Sequence, residues 1–100
     1  MESRLKNITE MENILNATDG LIADLENLLQ KWEENLPDFQ RLMKYYGSEQ
    51  WHEDRFYDDA KQIPQDFPRG VLSEDGVHNT FGNKRELAIR MIKSGVADLE

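Results

Sequence analysis

The chain has 100 residues, 38% of them apolar, and a formal charge of −8 from 20 acidic and 12 basic side chains. That balance repels phosphate and argues against direct binding to a nucleic-acid backbone, while it suits a basic protein partner. With no cysteine, the sequence offers no disulfide, no thiolate nucleophile and no zinc–thiolate site, and it fits a reducing, cytoplasmic setting.

The length predicts one helical domain over residues 1–100. Met1-Glu2-Ser3-Arg4 leads into a charged helix rather than an apolar signal core. No apolar run approaches the ~20 residues needed to cross a bilayer, so no membrane association is expected.

The first predicted helix dominates the chain. Steps of three and four run through Ile8, Met11, Leu15, Thr18, Ile22, Leu25, Leu29, Trp32, Leu36, Phe39, Met43 and Tyr46, and only Thr18 departs from apolar character. By chance a chain this apolar would fill about five of those positions, so the period marks an amphipathic helix. Ile14, Leu21 and Leu28 add a third apolar column beside the stripe. A two-stranded coiled coil needs two columns; three call for more than one neighbour, as in a bundle. The stripe keeps its phase across Asp19-Gly20, so the helix is expected to continue there at a cost of ~1 kcal/mol for the glycine.

Pro37 removes a backbone donor and disfavours helix at Leu36. The long helix is therefore predicted over about 4–34, with a break or sharp kink at 35–37 and a short helix over about 37–46. Gly47 is a C-terminal stop, and Ser48 can cap a helix over about 49–61. Pro64, Pro68 and Gly70 make the next segment irregular, with Ile63 and Phe67 expected to pin it to a core. Ser73 can cap a last helical region over about 74–93, either one helix softened by Gly76 and Gly82 or two short ones meeting near Gly82-Asn83, stopped by Gly95. No stretch alternates as a strand does. The expected fold is all-α: a long amphipathic N-terminal helix with three or four shorter helices packed on it as a small bundle.

Two segments, Tyr45-Tyr46-Gly47-Ser48-Glu49-Gln50-Trp51 and Arg69-Gly70-Val71-Leu72-Ser73-Glu74-Asp75-Gly76, lie behind that helix. In their order and separation they resemble a family of short bacterial proteins known as domain of unknown function 4298. The resemblance implies a bacterial or phage origin and a small helical fold, and it brings no activity, substrate or catalytic residue.

The candidate chemistry is thin. Glu49 and His52, and Asp75 and His78, have the carboxylate-x-x-His spacing that di-iron bundles use. Both acids sit at helix starts, where the dipole already accounts for them, and no glutamate in the first stripe supplies further ligands. No metal and no cofactor is expected. The acids of the 49–61 helix lack the Asp-x-Asp-x-Asp-Gly order of a calcium loop, and no phosphate loop or nucleophile elbow can be assembled. The chain is therefore not expected to be an enzyme.

The aromatic side chains offer more. An exposed Tyr45 beside Trp51 and the acids Glu49, Glu53 and Asp58 has the composition of a protein-binding hot spot. The reading that follows is an acidic interaction module: an adaptor, regulator or inhibitor. The alternatives are an acidic mimic of nucleic acid acting on a nucleic-acid-binding protein and, with less support, a metal-dependent enzyme. Apolar surface left over near Ile8, Met11 and Leu15 gives a further expectation, a homodimer through the first helix.

Overall fold

The computed structural model describes residues 1–100 and contains helix and irregular backbone without strand. Three α-helices occur: α1 over Glu2–Tyr45, α2 over Glu49–Asp59 and α3 over Glu74–Leu99, with a single 3₁₀ turn at Gly70–Leu72. No helix is long and apolar enough to cross a membrane. The chain divides into two compact units, Met1–Arg41 and Leu42–Glu100.

The first unit is one helix. Gly20 sits inside it, as the unbroken phase of the stripe predicts. Of the break or sharp kink expected at 35–37, the break does not occur: Pro37 lies within α1, which continues to Tyr45. The expected helices over 4–34 and 37–46 are thus one. The physical reason is that a proline forfeits one hydrogen bond, to the carbonyl of Glu33, while Leu36, Phe39 and Met43 continue the phase of Trp32. Two shorter α-helices and a 3₁₀ turn therefore stand where three or four shorter helices were expected. No residue of α1 is buried.

The second unit holds what core there is. Trp51 and Val77 are its buried side chains, 3% and 4% exposed. The 3₁₀ turn touches both α2 and α3 and so joins them. α1 ends at Tyr45, and Gly47 two residues on takes a φ of 77°, the left-handed conformation a stop requires. The Ser48 hydroxyl then accepts from the Trp51 N–H and opens α2.

α2 ends at Asp59, two residues short of the expected boundary. Lys61 takes φ 61° there, and the N–H groups of Lys61 and Gln62 bond the carbonyls of Asp58 and Tyr57. This is a Schellman closure with lysine in the position glycine usually takes.

Ser73 caps α3 through the Gly76 N–H. A Cβ on Gly76 would lie 2.9 Å from the Gly70 carbonyl oxygen, so the 3₁₀ turn and α3 can approach only because that side chain is absent. α3 runs past Gly95 to Leu99 rather than stopping near Lys93. Gly95 does not adopt the left-handed φ that would end the helix, and the N–H of Glu100 still bonds Val96.

Candidate functional site

Two places in the molecule gather side chains that could act on something else. One is the corner of the second unit built around Trp51, and the other is the apolar stripe of α1 in the first.

In the corner, the Ser48 cap fixes the start of α2 and turns Trp51 inward. Its indole N–H donates to the Val71 carbonyl at 2.9 Å, which holds the 3₁₀ turn against α2. Tyr46 meets the ring edge-on at 5.2 Å between centroids, and the Arg55 guanidinium stands over it at 5.3 Å. Arg55 also pairs with Glu74 at 2.7 Å, which holds the Glu74 carboxyl below the usual carboxylate range. The Tyr46 hydroxyl donates to the Glu74 carbonyl at 3.0 Å, so the α3 start is tied down twice.

The residues expected at a partner surface are distributed through this corner rather than gathered on its outside. Trp51 is interior. Tyr45 is half-buried, and its hydroxyl donates to Asp54 at 2.6 Å. Partial burial, followed by the bond to Asp54 and that residue's charge, pushes the Tyr45 phenol up to about 12. Asp58 is half-buried and pairs with Arg69, which also donates to the carbonyls of Pro64 and Phe67 and so shapes the 60–69 connection. Glu49 and Glu53 are the two exposed members of the set.

The partners that make the corner what it is — Asp54, Arg55, Arg69 and Val71 — carry no sequence signal of their own. Their roles depend on separations of nine to twenty residues closed by the turns. Neither carboxylate–histidine pair is joined by further ligands. His52 instead stacks edge-on against Trp51 at 5.0 Å, and no three His, Cys, Asp or Glu residues come together as a metal-holding group.

The stripe of α1 is the opposite case. Ile8, Met11, Leu15, Ile22, Leu25 and Leu29 are 43–63% exposed, and Ile14, Leu21 and Leu28 in the neighbouring column 58–69%. Thr18, the one polar member, donates its hydroxyl back to the Ile14 carbonyl at 2.8 Å. Its polar atom is satisfied within the helix, so it does not interrupt the apolar strip. Near the N-terminal end a shallow depression opens between Asn7, Ile8, Met11, Glu12 and Leu15. Four of these stand at i, i+3, i+4 and i+7, the arrangement that receives one side chain from a facing helix. The sequence reveals this strip, with most of it expected to face the bundle and its Ile8–Leu15 end expected to be left over for a second copy.

The model of the family described as domain of unknown function (DUF4298) matches residues 8–94. No curated protein and no solved structure matches the chain.

Proposed function

The chain belongs to the domain of unknown function 4298 family, and from that premise we propose that it is a helical interaction module that binds another protein through the apolar stripe of α1. The observation that carries this reading is the exposure of nine large apolar side chains along one strip from Ile8 to Leu29. Contiguous apolar surface of that extent marks an interaction site in a soluble chain. The three apolar columns have the breadth of a bundle helix, so the bundle is completed by the partner. Binding, not catalysis, is the work, in the cytoplasm, as adaptor, regulator or inhibitor.

Nucleic-acid mimicry has less support. The acids Glu12, Asp19, Glu26 and Glu33 recur once per heptad. That is a separation of about 10.5 Å along a helix, against about 3.4 Å per phosphate along a DNA strand.

Site-specific photocrosslinking tests the proposal. A photoreactive phenylalanine analogue is placed at Leu25 on the strip or at Asn16 on the opposite face, in cells that express the protein. An adduct to one protein species from position 25 and none from 16 is expected. Equal adducts from both positions, or none from 25, overturns the reading.

A further inference from the structure

The charges of α1 say what chemistry that partner carries. On a helix advancing about 100° per residue, the three apolar columns cover an arc of roughly 120°. One rim of that arc, the side next to Leu15, Ile22 and Leu29, is the row Glu12, Asp19, Glu26 and Glu33. The other rim, next to Ile14, Leu21 and Leu28, holds Asp24 and Lys31. Every charge between Glu12 and Glu33 lies on one of these two rims, five acids and one base. The back of the helix, Asn13, Asn16, Gly20, Ala23, Asn27 and Gln30, has none along the strip; its charges Lys6 and Glu34 lie beyond the strip's two ends. A helix charged only for solubility would carry charge on its back as well, where it is best hydrated. Here a continuous row of acids lines one rim of the apolar strip instead.

We propose that the occupant of this strip is an amphipathic helix whose apolar seam is bordered by Lys and Arg. The inference rests on the reading of α1 as a docking surface and names what docks there. The depression at Ile8, Met11, Glu12 and Leu15 fits one apolar side chain from a helix, and Glu12 in its wall puts a carboxylate beside that side chain. Basic residues flanking one side of the partner's seam meet the row Glu12, Asp19, Glu26 and Glu33, and those on the other side meet Asp24.

A second copy of this chain is the poorer occupant. An antiparallel copy lays the row of four acids along its own counterpart, and a parallel copy lays it along Asp24 with the single cation Lys31. Both juxtapose like charge, which selects against self-pairing.

The test uses the full chain and three labelled synthetic peptides of about four heptads with one Ile/Leu composition. The first has Lys at both seam-flanking positions, the second has Glu there, and the third has the residues of the first in shuffled order. Anisotropy titrations should show the Lys-flanked peptide binding at least about tenfold tighter than the Glu-flanked one at about 20 mM salt. The preference should fall below about threefold near 0.5 M salt, where the Debye length is only a few ångströms. The combined substitution Glu12→Gln, Asp19→Asn, Glu26→Gln and Glu33→Gln should remove the preference yet leave helicity intact.

Equal affinity for the Lys- and Glu-flanked peptides overturns the basic partner and leaves the docking surface standing. Equal affinity for the shuffled peptide shows bare charge attraction and overturns it too. So does a dimer of the wild-type chain at micromolar concentration by sedimentation, which assigns the strip to a second copy. If no peptide binds, the inference fails, and the crosslink at position 25 then decides separately whether the docking surface survives.

Discussion

The two units use the same amphipathic helical material to opposite ends. In Met1–Arg41 a regular apolar stripe leaves all its large side chains at least partly exposed, with none buried. In Leu42–Glu100 a ragged set of apolar residues buries Trp51 and Val77 almost completely. The difference is not hydrophobicity: 16 of 41 residues are apolar in the first unit and 22 of 59 in the second. A lone helix can only gather its apolar side chains on one face. Burying them takes a second element, and the turns at Gly47 and Gly70–Leu72 supply it in the second unit. Regular apolar period therefore identifies a surface that wants covering, and does not say what covers it.

Truncating one apolar side chain in each unit should have the most unequal consequences. Trp51→Ala removes the packed ring and its bond to Val71, and should cost about 3–5 kcal/mol. Leu25→Ala, 63% exposed in the wild type, should change the stability of the free chain by no more than about 0.5 kcal/mol. Urea unfolding followed by circular dichroism reads both, and comparable losses would mean that the stripe is core after all.

The same glycine substitution should act with opposite sign in the two units. Gly76→Ala drives a Cβ against the Gly70 carbonyl and should destabilise by roughly 1–3 kcal/mol. Gly20→Ala meets nothing within 4 Å and should stabilise by about 0.5–1 kcal/mol through helix propensity alone. Paired thermal melts distinguish these; a gain at both positions would show that the approach of α3 to the 3₁₀ turn is loose.

Smaller again is the cap. Ser73→Ala should cost about 1 kcal/mol and Ser73→Gly only a few tenths, because the hydroxyl satisfies the Gly76 N–H and glycine lets water replace it. Hydrogen exchange at Gly76 should quicken in the alanine variant before global stability changes appreciably.

The smallest effect is confined to alkaline pH. The Tyr45 phenol titrates near 10 in an unfolded chain and is pushed up to about 12 when folded, so the fold favours its neutral form. That contribution is fully present below pH 10 and is lost as pH rises from about 10 toward 12. Phenolate absorbance should show one late-titrating tyrosine, absent in Tyr45→Phe, and the alkaline loss of stability should be shallower in that variant.

Much of the local structure was legible in the residues. The caps at Ser48 and Ser73, the stop at Gly47 and the passage of α1 through Gly20 all follow from hydrogen-bonding groups or φ preferences within a few positions. Pro37 and Gly95 were misread for a related reason. Each weakens a helix by a known amount, but the outcome depends on the turns to either side, whose summed hydrogen bonds outweigh one poor residue. The site was less legible. The heptad rule located the strip on α1, and the composition of the 45–58 segment marked a cluster of aromatic and acidic residues without telling inside from outside.

Periodicity and groups close along the chain are enough to make the protein all-α, to make its first helix long and amphipathic, and to place the starts of α2 and α3. What depends on tertiary structure is that Trp51 is buried, that Tyr45 is held by Asp54 and Asp58 by Arg69, and that the stripe of α1 stands exposed. Burial and long-range pairing are properties of what chain closure brings within a few ångströms, and an apolar side chain looks the same in sequence whether its neighbour is another part of the protein or water.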